Sequence, residues 1–268
     1  MGLNMVVCVK NVPSTLSVDV DSATGQPKTA GLMFAMNPFD EYAVEEAVRI
    51  KERIPGSTVT ALALGPDSDL AVLREAISRG CDAAVLLGGP ELLDGDSFTT
   101  SRALAAAISK LAAQKPVHLA LFGKSTNDGN AGAVGCEVAA WLDWPGVLSV
   151  KKIESVDESA ALLWRMMEDG IDKVKVGLPA AVSTVKEINE PRIPSLKGKM
   201  AAKKAVIPKW SAADLGLKPE EAGSQGARAR MARCTPPPAR SAGTRIAGAT
   251  AAQTAEKLVD TLIARKLI

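Results

Sequence analysis

Over the first two thirds of the chain, short apolar runs alternate with longer segments of helical period. Met5-Val6-Val7-Cys8-Val9 carries no polar residue, as a strand buried on both faces requires. Asp40–Ile54 spaces Tyr42, Ala43, Ala47 and Ile50 on one helical face between charges, bounded by Pro38 and by Pro55-Gly56. The same reading gives a strand at Thr58–Leu64 ending in Gly65-Pro66, a helix at Asp69–Arg79 stopped by Gly80, and a buried strand at Ala83–Leu87. A helix at Phe98–Gln114, a strand at Val117–Phe122 and a helix at Gly132–Leu142 complete the series. Strands separated by such helices imply right-handed crossovers and a mostly parallel α/β sheet. Ligands of such sheets sit at the strand carboxyl ends where chain order reverses, which singles out the segments after Val9, Leu64 and Phe122.

After Trp144-Pro145 the period changes. Val147–Val156, Ala161–Met167 and Lys173–Leu178 read as strands joined by short turns such as Glu168-Asp169-Gly170, an antiparallel addition to the sheet. A last buried strand is predicted at Ala180–Val185. From Asn189 the chain is polar and rich in Pro, Lys and Ala, with Pro236-Pro237-Pro238 bracing an extended C-terminal arm and a final amphipathic helix at Thr254–Lys266. A tail with so little core of its own is expected to embrace a partner. The predicted organisation is therefore an α/β domain over 1–188, a loop over 189–204 and an arm over 205–268.

The 268 residues suffice for one large domain, and at 3% aromatic its core must be built from Ala, Val, Leu and Ile. A net charge of +2 gives no reason to invoke nucleic acid or an acidic membrane surface. Cys8, Cys81, Cys136 and Cys234 are too widely spaced for a zinc site or a disulfide framework, and the single histidine excludes a His-rich metal site. Reduced thiols, no signal peptide and no long apolar run predict a soluble, cytoplasmic chain that does not insert into a membrane.

Gly123-Lys124-Ser125-Thr126-Asn127-Asp128-Gly129-Asn130-Ala131-Gly132-Ala133-Val134-Gly135 leaves a buried strand and enters a helix. Its small residues would let backbone amides approach a phosphate at a helix N-terminus; a plain glycine-rich turn is the alternative. It is neither a Walker A loop nor GxGxxG. Asn37 reads as a helix N-cap with Pro38 at the first helical position, compatible with a ligand at the same amides. Glu190–Leu196, followed by Lys197, Lys199, Lys203 and Lys204, is a solvated loop or a docking loop with Leu196 as its apolar anchor. His118 lies inside a strand pattern and reads as a satisfied core residue; no Ser/His/Asp set forms around it.

The run Val185-Lys186-Glu187-Ile188-Asn189-Glu190-Pro191-Arg192-Ile193-Pro194-Ser195-Leu196-Lys197, leading into Lys203-Lys204, resembles the signature of electron-transfer flavoprotein β (small) subunits. The N-terminal VVCVKNVP, the stretch MNPFDEYAVEEAVRIKE, the Gly123–Gly135 loop with its Trp144-Pro145 turn, and the late Thr235-Pro236-Pro237-Pro238 and Ala242-Gly243 are similar to that family in order and spacing. The resemblance covers essentially the whole chain.

It implies a fold of the adenine-nucleotide α-hydrolase type and a heterodimer with an α subunit that holds FAD. The β subunit would hold AMP or, in the NADH-dependent, electron-bifurcating branch, a second FAD. Carried over by position, nucleotide contacts would come from Cys8, Asn37, Pro38, Phe39, Asp40, Leu64, Gly123, Lys124, Ser125, Asp128, Gly129, Asn130, Ala131, Gly132, Ala133 and Val134. Glu190, Pro191, Arg192, Ile193, Pro194, Ser195 and Leu196 would form the loop that docks on flavin dehydrogenases, with electrons passing on to a quinone oxidoreductase or similar acceptor. Asp128-Gly129 and Val134-Gly135 match the bifurcating branch, whereas Ala133 replaces a glutamine usual in both, and Met166 stands where conventional carriers often have an acid. Because flavin does the chemistry, no catalytic residues are needed. The rivals are a nucleotide-hydrolysing or ATP-sensing protein on the same fold, and a scaffold with an empty site.

Overall fold

The computed structural model describes residues 2–15, 17–236, 238 and 242–268. Pro237, at the centre of the predicted proline brace, lies outside the described residues. The elements run β1 (Asn4–Cys8), a small hairpin of β2 (Asn11–Pro13) and β3 (Phe34–Met36), α1 (Pro38–Arg53), β4 (Thr58–Leu64), α2 (Leu70–Arg79) and β5 (Ala83–Leu87). They continue with α3 (Ser97–Ala112), β6 (Leu119–Gly123), α4 (Val134–Leu142), β7 (Gly146–Val156), β8 (Ala160–Met166), β9 (Ile171–Gly177) and β10 (Ala180–Thr184). The C-terminal part holds α5 (Leu196–Lys204), the two-residue β11 (Lys209–Trp210), the single turn α6 (Gly223–Gly226) and α7 (Ala251–Ala264).

Among the described residues the main sheet has the order β11-β5-β4-β1-β6-β10-β7-β8-β9. All neighbours from β11 to β7 are parallel, and β7-β8-β9 is the expected antiparallel addition. The chain steps outward from β1 through β4 to β5, then returns to the far side of β1 as β6, so the reversal of order falls between β1 and β6.

Strand alternation divides the core into two layers. Met5, Val7 and Val9 face α1 and α2, meeting Ala43, Ala47, Leu73 and Ala76. Val6 and Cys8 face the opposite side, meeting Ala103, Ala107 and Ile108 of α3 and Val138 of α4. Each fully buried Leu or Ile among them contributes about 1.5–3 kcal/mol. Gly80 ends α2 at a φ of +127°, a conformation that side chains rarely adopt.

The C-terminal part is less detached than its composition predicts. Pro208 O accepts from Leu86 N, which lays β11 beside β5 as an extra edge strand. α7, by contrast, has no buried residue and carries Leu258, Val259 and Ile263 exposed. No helix among the described residues is long and apolar enough to cross a membrane.

Candidate functional site

The carboxyl ends of β1, β4, β5 and β6 open into a cavity of about 590 Å³. Its lining joins the apolar side chains of Leu64, Leu92, Leu104, Phe122 and Val134 to the glycine-loop backbone and to polar side chains such as Ser97, Thr100, Lys10 and Lys124. The segments after Val9 and Leu64 and the loop after Phe122 all reach it, as the rule for parallel sheets requires.

One wall is the glycine loop, and two buried side chains of the α1 entrance hold it. Asn37 occupies the N-cap position, but its side chain makes no cap hydrogen bond. Instead its Nδ2 donates to Ser125 O at 2.8 Å and to Asp40 Oδ1 at 2.9 Å, and its Oδ1 accepts from Asn127 N at 3.2 Å. The sequence reading of Asn37 as a capping residue is corrected on this point: the loop outcompetes the helix for the amide. Asp40 also accepts from Lys10 N at 2.8 Å. Burial drives its carboxyl up to about 7, although hydrogen bonds from Asn37, Lys10 N and Gly123 N oppose the rise. Burial, with Asp40 beside it, also pushes the Cys8 thiol far above its ordinary range, which leaves Cys8 a small apolar wall residue.

A Cβ on Gly123 would fall on the Asp40 carboxylate and on Phe39, so only glycine lets β6 pass this point. At the mouth, Lys10 Nζ pairs with Asp128 Oδ2 at 2.5 Å. Burial would raise Asp128, but hydrogen bonds from Lys10 and Thr126 and the Lys10 charge hold it below the usual carboxylate range. Asn130 and Gly132 take positive φ, turning the exposed loop amides before α4 begins.

Of the residues singled out in the sequence, Cys8, Asp40, Leu64, Gly123, Lys124, Ser125, Gly129, Ala131, Gly132 and Val134 line this cavity. Asn37 lies behind the loop, and Asp128 is paired across the mouth. Pro38, Asn130 and Ala133 do not line it; Pro38 and Asn130 are exposed, and Ala133 sits at the start of α4. Phe39 faces a different hollow of about 510 Å³, shared with Lys124, Met166 and Met167. The sequence reading missed the opposite wall, Leu92 to Ser97 with Thr100 and Leu104. The available signal was the carboxyl end of β5 at Leu87, which the same topological rule covers.

The Glu190–Leu196 segment is fastened to α1. Arg192 donates to Glu45 at 2.7 Å and also pairs with Glu52, and Asn189 Nδ2 donates to Glu46 Oε2 at 3.1 Å. These contacts cover two carboxylates that the helical pattern assigns to solvent. Ser195 caps α5 through Gly198 N at 3.0 Å, so Leu196 is the first helical residue rather than a loop residue. Ile193 and Leu196 remain 89% and 77% exposed. His118, just before β6, accepts from Asn4 N at 3.0 Å; it is partnered as expected, but half-buried rather than a core residue.

Fold and cavity together define a mostly parallel α/β protein, covered by helices on both faces, with a glycine-lined cavity at its carboxyl edge. Residues 28–215 match the family model described as electron transfer flavoprotein domain. The chain is similar to the caffeyl-CoA reductase-Etf complex subunit CarD of Acetobacterium woodii, with 36% identity over 99% of this chain and 100% of that protein. It is also 32% identical to electron transfer flavoprotein subunit beta of Megasphaera elsdenii and of Thermoanaerobacterium thermosaccharolyticum, in each case over 99% of this chain and 100% of the relative. The chain belongs to the electron transfer flavoprotein family, among its β subunits.

Proposed function

We propose that this chain pairs with a flavin-bearing α subunit and holds an adenine nucleotide in the cavity at the carboxyl ends of β1, β4, β5 and β6. The observation that carries the reading is one cavity combining an apolar slot with a rim of exposed glycine-loop amides. The slot between Leu64, Leu104 and Phe122 suits a purine ring, which gains from leaving water. The amides from Gly129 to Val134 and the ammonium groups of Lys10 and Lys124 suit phosphate. Asn37 and Asp40 would act at one remove, by fixing the loop. FAD, held mainly by the α subunit, would supply the redox chemistry when bound.

In this role the heterodimer passes electrons from flavin dehydrogenases, of the acyl-CoA dehydrogenase type, to a quinone oxidoreductase or similar acceptor, in the cytoplasm. Residues 189–204 form the dehydrogenase dock, presenting Ile193 and Leu196 on a base that Arg192 pins to α1. Residues 205–268 reach toward the α subunit, and the unpartnered apolar face of α7 suits that contact. Leu196→Ala should slow electron transfer from the dehydrogenase and leave heterodimer assembly intact; unchanged rates would remove Leu196 from the dock.

A second reading places a second FAD in the cavity, with NADH as donor and electron bifurcation as the activity. The volume of about 590 Å³ favours it, being generous for a mononucleotide. Asp128-Gly129 and Val134-Gly135 of the glycine loop, which resemble that branch, also support it. The deciding measurement is the FAD and AMP released on denaturing the complex with its α partner: two FAD per heterodimer select the bifurcating branch, one FAD with one AMP the carrier. Gly129→Glu tests the loop itself. A Cβ there meets only Thr126 Oγ1, at 3.8 Å, so the variant fits sterically while aiming a carboxylate at the phosphate position. Normal nucleotide content in that variant would move the site elsewhere. ATP turnover by the isolated chain would favour the hydrolase rival, and a complex devoid of nucleotide in this subunit the scaffold.

A further inference from the structure

The missed wall of the cavity does not stand alone. Residues 222–234 of the C-terminal arm are stitched to it, and the stitching is almost entirely backbone. Asp96, which lines the cavity, accepts from Arg228 N at 2.8 Å and Ala229 N at 2.9 Å through Oδ2. Its Oδ1 accepts from Thr99 N at 3.1 Å and so caps α3. Ser224 N donates to Leu93 O at 3.0 Å. Gly223 packs so closely that an added Cβ would strike the carbonyls of Glu91 and Leu93. The Arg228 guanidinium lies 4.1 Å from the centre of the Phe98 ring.

Farther along, the same segment reaches the long loop between β2 and β3, where Cys234 N donates to Gly25 O at 2.8 Å and Arg233 to Ser22 O at 3.2 Å. It therefore joins the loop that follows β5 to the loop that follows β1 and β2. Ala222 belongs to the core layer on the α3 side and Gly223 is buried beside it, so these two anchor the segment. Residues 224–234 are not buried and can lift without opening either core layer.

We propose that residues 222–234 are a strap that holds the Leu92–Ser97 wall against the bound nucleotide and sets its residence time, with Asp96 as the positioning residue that takes the load. The inference rests on the nucleotide reading of the cavity. Release of the nucleotide proceeds by detachment of the strap from Asp96 and outward movement of the wall, while the glycine loop stays in place.

The test uses the heterodimer loaded with its own nucleotide and follows release into an excess of the same nucleotide in labelled form. Asp96→Asn keeps an oxygen for the α3 cap but turns an amide group toward the two strap N–H groups. Ala229→Pro deletes one of those donors from the strap side and alters no residue lining the cavity. Both variants should release nucleotide about tenfold faster, equivalent to about 1.4 kcal/mol, with an unchanged unfolding midpoint for the nucleotide-free heterodimer. Native release rates in both variants overturn the strap. So does a faster rate in Asp96→Asn alone, which would make the aspartate a direct ligand contact. If the native complex carries no nucleotide in this subunit, the cavity reading and the strap fall together, and that outcome shows in the nucleotide content before any rate is measured.

Discussion

The two walls of the cavity are held in opposite ways. The glycine loop is tied by buried side chains, with Asn37 and Asp40 gripping its backbone from behind. The Leu92–Ser97 wall is tied by the backbone of a distant, largely exposed arm. The first kind of support cannot be lost without disturbing the α/β body, because every broken bond leaves a desolvated polar group. The second can be lost and regained, because water replaces what the arm gives up. One side of the cavity is architecture and the other is attachment.

The sharpest way to break this comparison is Asn37→Ala. It strands Ser125 O, Asn127 N and part of Asp40, at a combined cost of about 5 kcal/mol by denaturant unfolding. A loss below about 1 kcal/mol would mean that the glycine loop stands without its brace. Next in size is a pH effect. The Asp40 carboxyl is raised to about 7 in the fold from an ordinary value of 3.8, so the folded chain keeps a proton that the unfolded chain releases. Its contribution is fully present below about pH 4 and is lost as pH rises through 7, up to about 4 kcal/mol. Asp40→Asn should flatten that slope in unfolding free energy between pH 4 and 7.

On the other wall, Gly223→Ala forces a side chain into a φ of +48° and against two carbonyls, at about 1–2 kcal/mol of local strain. Hydrogen exchange should then show residues 222–229 opening with the sheet unaffected; coupled loss of the sheet would erase the distinction between the walls. The smallest effect belongs to Arg102→Ala. Its ion pair with Glu221 also fastens the arm, but both side chains are partly exposed, and a loss under about 1 kcal/mol is expected by thermal unfolding.

What the sequence disclosed follows the same division. The parallel strands were legible because strands covered on both faces are dominated by apolar residues, as Met5 to Val9 illustrates. The glycine loop was legible because its composition is local. α5 was not, since Ala202 is its single buried residue and its lysines read as a solvated run. β2, β3 and β11 are too short to carry a period, and β11 forms only where β5 offers an edge. Glu45 and Glu46 look like solvent-facing charges until Arg192 and Asn189 arrive from far along the chain. Asp96 was not singled out; it caps α3, and its second allegiance, to Arg228 and Ala229, depends on a contact no spacing encodes.

The position of β10 has a consequence for synthesis. β10 lies between β6 and β7, yet it is made after both of them and after the β8-β9 hairpin. While the chain grows, the inner edges of β6 and β7 wait unpaired, open to any extended segment that passes. Ala180 to Thr184 arrives last and is buried at every position, so it acts as a keystone: the sheet closes in one late step. A nascent chain stalled before Ala180 would expose two unsatisfied edges and depend on chaperones to reach the end.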